Sequence, residues 1–155
     1  MDAISQRVLE VYDELAQERL DLHALMEFAG GNDPAKREAV VEAVETLVRA
    51  GYLDSAGGGD FYRRSEEGRL AVAGPRDVTL YTRPGCHLCD QAREAMLPIV
   101  REFGASLREV NIDDDADLRE LYTNDVPVVF LGSREVARHR VAAARFRRAL
   151  EEAGK

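Results

Sequence analysis

The sequence predicts two small domains meeting near residue 74, a mostly helical first half and an α/β second half with elements in the order βαβαββα. Three observations carry this reading. Ala73-Gly74-Pro75 interrupts the chain between a helical pattern and a β-prone run. Charge is divided unevenly: residues 1–73 hold 8 Lys plus Arg against 15 Asp plus Glu, net −7, whereas residues 74–155 hold 13 against 14, net −1. Both cysteines of the chain, Cys86 and Cys89, lie in the second half, just after the β-prone run Val78-Thr79-Leu80-Tyr81-Thr82.

In the first half, Ile4, Val8, Val11 and Leu15 form a helical stripe, and Leu22, Leu25, Met26 and Phe28 a second, shorter one. Asp33-Pro34 is a cap followed by a first-turn proline. Val40, Val41, Val44, Leu47 and Val48 supply the buried face of a third helix running to Gly51. A hairpin follows, Tyr52-Leu53-Asp54 against Phe61-Tyr62-Arg63-Arg64, with Gly57-Gly58-Gly59 at its tip. Ser65-Glu66-Glu67 then opens a last short helix.

In the second half, Val78–Thr82 reads as a strand, Leu88–Phe103 as a helix interrupted by Pro98, and Leu107–Ile112 as a second strand. Asp113 or Asp114 is expected to cap a short helix through Tyr122. Val126–Leu131 reads as a buried strand, Gly132-Ser133 as a hairpin turn into Glu135-Val136-Ala137, and Val141–Glu152 as the closing helix.

The chemistry is concentrated in Cys86-His87-Leu88-Cys89. Two thiols at this spacing can close a small ring, one attacking a disulfide and the other resolving the mixed intermediate. Arg83-Pro84-Gly85 turns the chain out of the strand, so Cys86 falls at the start of the helix, where free backbone N–H groups and the helix dipole favour a thiolate. Cys86 is therefore the expected nucleophile and Cys89 the resolving thiol, with positive charge available from Arg83 and from protonated His87. Half of a zinc site is the competing reading of such a pair. It lacks a second CxxC, and His23 and His139 have no ligand spacing, so no metal is expected. A purely structural disulfide would close too small a loop to stabilise much.

The segments LYTRPGCHLCDQAREAM, VNIDDDADLRELY and DVPVVFLGSREV together resemble a glutaredoxin-like protein of the thioredoxin superfamily. The resemblance covers roughly the C-terminal half, residues 74–155, and implies a thioredoxin-like fold and thiol–disulfide oxidoreductase activity. It also implies that Pro127 is cis and lies beside the cysteines, leaving the backbone at Val126 free to pair with an extended thiol substrate; Arg83, Val126 and Pro127 are the expected substrate-binding residues. Glutathione-binding members carry an aromatic residue in the CxxC and a Gly-Gly with an acidic pair after the last hairpin. Here those places hold His87-Leu88 and Ala137-Arg138-His139-Arg140. No bound cofactor is expected, and glutathione stands as a candidate reductant beside a disulfide-containing protein as partner.

The first half, residues 1–73, is similar to winged helix-turn-helix domains in its order of elements and in the phrase LVRAGYLD…FYRRSEEGRLAV. Such domains often read DNA with the third helix and the wing. The net −7 argues against that use here, because phosphate attraction needs a basic face and only Lys36, Arg37, Arg63 and Arg64 could build one. A protein-interaction or dimerisation module is preferred, leaving a redox-responsive winged-helix transcriptional regulator, with the CxxC as sensor, as the alternative function.

Other motifs are excluded by spacing. Counted from Asp113 as a calcium loop, the sixth position is Leu118 in place of glycine and the twelfth is Asn124 in place of glutamate; Gly57-Gly58-Gly59 lacks the lysine and helix of a phosphate loop. There is no long apolar span and no signal-like start, so the expectation is a cytoplasmic protein without membrane contact, whose thiols are ordinarily reduced.

Overall fold

The computed structural model describes residues 1–153. Its backbone separates into two compact units, one of Met1–Val72 and one beginning at Ala73.

The first unit runs α1 (Ala3–Leu15), β1 (Arg19–Asp21), α2 (Leu22–Gly30), α3 (Pro34–Arg49), β2 (Leu53–Ser55), β3 (Phe61–Arg64) and α4 (Glu66–Ala71). Each helix begins where a short polar side chain can accept a free backbone N–H: Asp2 from Ser5, Asp21 from Ala24, Asp33 from Ala35 and Ser65 from Gly68. Val8, Leu9, Val11 and Tyr12 of α1 meet Leu25 of α2, Val40, Val44 and Leu47 of α3, and Leu53 of β2 in one core. The strand β1 is absent from the sequence reading, since Arg19-Leu20-Asp21 offers only one apolar residue to a periodicity argument. It exists because β3 lends it a partner, Leu20 facing Tyr62, which makes β3 the middle strand of the order β1-β3-β2.

Two expectations about side chains in this unit are corrected. Phe28 is not part of the α2 core face and stays 45% exposed, because Leu22, Leu25, Met26 and Ala29 already occupy the inward positions. Arg64 is not a surface cation. Its side chain is 4% exposed, and its guanidinium donates to the Leu9 carbonyl at 2.8 Å and to both oxygens of Asp13 at 2.6 and 2.8 Å. Nearby, the Tyr12 hydroxyl donates to the Tyr62 carbonyl at 2.8 Å, and burial pushes the phenol's pKa up.

The second unit runs β4 (Asp77–Thr82), α5 (His87–Phe103), β5 (Ser106–Asn111), a 3₁₀ turn (Ile112–Asp114), α6 (Ala116–Tyr122), β6 (Val128–Leu131), β7 (Arg134–Arg138) and α7 (Ala143–Ala153). The strands order as β5-β4-β6-β7, with β4 parallel to β5 and the other neighbours antiparallel. Central β4 buries four successive residues, Val78 to Tyr81, as a strand covered on both faces must. Val78 and Leu80 join Met96, Ile99 and Val100 of α5, Val129 and Leu131 of β6, and Phe146 and Leu150 of α7. Residues of the other parity line the opposite face. There Tyr81 stacks on Tyr122 at 5.3 Å between centroids and meets the edge of Phe130 at 5.7 Å.

Three local differences from the sequence reading have physical causes. Helix α5 is continuous through Pro98: the proline lies on the exposed side, as does Glu94, whose carbonyl loses its helical donor, while Met96, Ile99 and Val100 anchor the buried side. The cap of α6 is Asp115, not Asp113 or Asp114, which instead form the 3₁₀ turn after Asn111; Asp115 accepts from the N–H groups of Asp117 and Leu118. Finally, β6 starts at Val128, so Val126 and Pro127 lie in the approach to the strand.

Candidate dithiol site

The residues Arg83-Pro84-Gly85 leave the end of β4 in a tight turn, and Gly85 adopts φ +77°, a left-handed backbone conformation that disfavours a Cβ. That turn delivers Cys86 to the N-cap of α5. Its Sγ accepts the backbone N–H of Cys89 at 3.1 Å, the contact a capping oxygen usually makes. Sulfur at this position stands at the end of the helix toward which the first-turn N–H groups and the positive end of the dipole point.

The two thiols differ in surroundings. Both are free; Cys86 is half-buried and Cys89 is 1% exposed. Burial pushes the Cys89 thiol's pKa up, followed by its hydrogen bond with Cys86, against a smaller opposing effect of the Thr82 side chain and the Arg83 backbone. Thr82 was not singled out in the sequence. Its position as the last residue of β4, directly before the turn to a CxxC, is the signal that could have found it. His87 is exposed in the first turn of α5.

Arg83 is oriented by the far side of the sheet. Its guanidinium donates to Asp113 Oδ1 at 2.9 Å and to the Thr123 carbonyl at 3.2 Å, tying the turn before Cys86 to the segments on either side of α6. Part of its positive charge is thereby offset by Asp113.

Val126 and Pro127 come to the same end of the sheet. Tyr81 near the end of β4 pairs with Val128 at the start of β6, so Pro127 lies one residue beyond that pair, and the Val126–Pro127 peptide is cis. The Pro127 carbonyl accepts the His139 N–H at 2.8 Å, and Asp125 receives Arg138 at 2.8 Å with His139 Nε2 at 3.5 Å. Arg138 in turn lies 5.6 Å from the centre of the Tyr122 ring. The approach to β6 is thus fastened from the end of β7, where Arg138 and His139 are engaged with Asp125. Arg140 remains exposed.

Among the described residues, no group of three or more His, Cys, Asp or Glu side chains is arranged to hold a metal ion, and no helix is long and apolar enough to cross a membrane.

Comparison with known proteins bears on the second unit. Residues 77–151 match the glutaredoxin-like domain family (DUF836). Over 71 residues the chain is 32% identical to the glutaredoxin-like protein YDR286C homolog of Dictyostelium discoideum, a match covering 42% of this chain and 66% of that protein's length. Among solved structures, protein XcR50 from X. campestris is 41% identical, with 48% of this chain and 96% of that one covered and a TM-score of 0.42. Protein Ne2328 from Nitrosomonas europaea is 29% identical, with 45% and 85% covered and a TM-score of 0.41. The second unit, over residues 77–151, is thus similar to glutaredoxin-like domains.

Proposed function

We propose that the protein is a thiol–disulfide oxidoreductase in which Cys86 is the nucleophile and Cys89 the resolving thiol. The observation that carries this reading is the asymmetry of the pair: Cys86 Sγ sits half-buried on the Cys89 N–H at the start of α5, while the Cys89 thiol is buried with its pKa raised. In the first step the Cys86 thiolate attacks one sulfur of a substrate disulfide, forming a mixed disulfide and expelling the other sulfur as thiolate. Cys89 then attacks Cys86 Sγ, its proton passing to a departing thiolate. The second substrate thiol leaves, and the enzyme ends with a Cys86–Cys89 disulfide. Two electrons have passed to the substrate, and an external dithiol or glutathione must return them.

Arg83, Val126 and Pro127 are assigned to substrate binding. Supporting this is their arrival at the sheet end from which the 83–86 turn departs, where Val126 precedes the strand and its backbone is outside the β6 ladder.

For the first unit we propose a winged-helix-like module that binds a protein partner or a second copy. Three helices, a sheet ordered β1-β3-β2 and a glycine-tipped hairpin support the likeness. Its third helix exposes Glu38, Glu42 and Glu45, and Arg64 is withdrawn into an ion pair with Asp13, which favours a protein over phosphate. The deciding experiment is reduction of a mixed disulfide with glutathione as leaving thiol, by the intact protein and by Cys86→Ser. Turnover by the intact protein alone supports the enzyme; turnover by neither, with a DNA complex that responds to oxidation, transfers the function to a regulator.

A further inference from the structure

The chain is acidic overall, net −8, yet residues 134–149 hold six arginines and a single acidic residue, Glu135. The fold places Arg134 and Arg138 on β7, Arg145, Arg147 and Arg148 on α7, and Arg140 in the segment between them. Two are occupied: Arg138 with Asp125 and Glu135, and Arg147 with Glu102 at 2.7 Å. Arg134, Arg140, Arg145 and Arg148 are exposed, and among the described residues they make no ion pair or side-chain hydrogen bond.

Two features show that this charge does not serve the stability of the fold. Arg145 stands in the first turn of α7, where the helix dipole opposes a cation, and that turn contains no acidic residue. Arg140 also follows directly on the end of β7, its N–H donating to the Arg138 carbonyl at 2.9 Å, and among the described residues no carboxylate pairs with its side chain.

The surface has a shape as well as a charge. Strand β7 is an edge of the sheet, so its outer backbone groups have no strand partner. An open pocket of about 310 Å³ runs beside it, lined by Glu135 to Arg138 of β7 together with Arg140 and Arg145, and with Val136, Val141 and Phe146 as its apolar part.

We propose that this face docks an extended, acidic segment of a partner protein, added along β7 as a further strand. An extended chain offers backbone groups to the edge while its side chains alternate, placing carboxylates against Arg140 and Arg145 and an apolar side chain in the pocket. The charge balance decides against a polyanion. A nucleic acid or an anionic bilayer reaches beyond four arginines and meets a molecule of net −8, whereas a short segment responds to the local sign. This inference rests on the redox reading for its purpose. Arg138 at the end of β7 pairs with Val128, at the same sheet end as Pro127, so the docked protein is the disulfide substrate.

The test uses the full chain carrying Cys86→Ser and Cys89→Ser, which cannot exchange disulfides, so docking is read separately from chemistry. The probe is a labelled, end-capped seven-residue peptide alternating Glu with Thr and Val, compared with its Lys counterpart by fluorescence anisotropy. The acidic peptide is expected to bind about tenfold or more tightly than the basic one, and Arg140→Glu with Arg145→Glu to abolish that preference. Arg140→Gln with Arg145→Gln, a milder change, should weaken binding by an intermediate factor. The same charge reversal at Arg49 and Arg63 in the first unit should leave it unchanged. Amide shifts in labelled protein should cluster on β7 and α7. Equal affinity for the two peptides, an equal loss in the first-unit variant, or tighter binding of a single-stranded oligonucleotide or of phosphatidylserine vesicles at these arginines overturns the proposal. Peptide binding by a protein that reduces no disulfide keeps the docking site and removes the redox reading.

Discussion

The two units solve the same packing problem with different materials. In the first, a helical core closes around Leu9, Leu25 and Leu47, and a three-stranded sheet with strands of three or four residues completes it; its charged side chains serve caps and ion pairs such as Arg64–Asp13. In the second, a strand buried on both faces carries a turn whose only outlet is the start of a helix, and a thiol stands where a capping oxygen usually does. A thiol as the capping group, with a buried second thiol one turn on, is what sets that helix end apart. The contrast teaches that the occupant of a cap sets these helix ends apart, since both units cap their helices by the same geometry; on the proposed reading, that occupant is the origin of the chemistry.

The widest separation between the units is expected in turnover. Cys86→Ser should reduce disulfide reduction to the uncatalysed level, and Cys89→Ser should accumulate a mixed disulfide that intact-mass measurement detects. Removal of residues 1–72 should leave reduction of a small disulfide intact, because both thiols and Pro127 lie in the other unit. A fragment that folds yet is inactive would break the comparison at its root.

Next in size are core truncations. Leu80→Ala and Leu9→Ala each empty a fully buried site and should cost about 2–5 kcal/mol. Hydrogen-exchange protection should fall in β4 and α5 for the former, and in α1 and α3 for the latter. Loss across both units from either substitution would show one cooperative core in place of two.

How far the sequence told these units apart depends on what kind of signal each feature leaves. The dithiol was legible because CxxC, the preceding β-prone run and the breaker Arg83-Pro84-Gly85 are local. The α1 and α3 stripes were legible because burial repeats at helical spacing. The strand β1 was not, since its pairing with β3 is long-range and its own residues are polar. Asp115 as the cap of α6 was hidden among four aspartates within five residues, any of which could cap in isolation; tertiary placement of the 3₁₀ turn selects it. The partners of Arg83, Asp113 and the Thr123 carbonyl, lie 30 and 40 residues away, beyond any periodicity argument.

A smaller effect separates the two thiols within the second unit. The raised pKa of Cys89 means that at a given pH a smaller fraction of it is thiolate than of an ordinary cysteine, so its alkylation should set in only at higher pH. Near neutrality Cys86 should react with iodoacetamide on the order of tenfold faster or more, burial of Cys89 acting in the same direction. Peptide mapping after timed alkylation, repeated across pH 6 to 10 as roughly the range in which thiols titrate, measures both rates. Equal rates near neutrality would remove the asymmetry on which the assignment of nucleophile and resolving thiol rests.

The smallest expected effect compares caps. Ser65→Ala and Asp115→Ala each remove a side-chain acceptor from the first turn of a short helix, and each should cost about 1 kcal/mol. Ser65 also donates to the Gly51 carbonyl at 2.6 Å, so its replacement leaves a second group unpartnered and should be the more costly of the two. Asp115 has a further consequence that Ser65 lacks. It begins α6, whose Tyr122 stacks on Tyr81 of β4 and whose following residue, Thr123, receives Arg83. Loosening α6 should therefore slow dithiol exchange slightly while leaving Cys89 alkylation unchanged, whereas Ser65→Ala should lower stability without touching exchange. Stopped-flow exchange rates and denaturant unfolding of the two variants distinguish these outcomes, and a slowed exchange in Ser65→Ala would mean that the first unit reaches the dithiol after all.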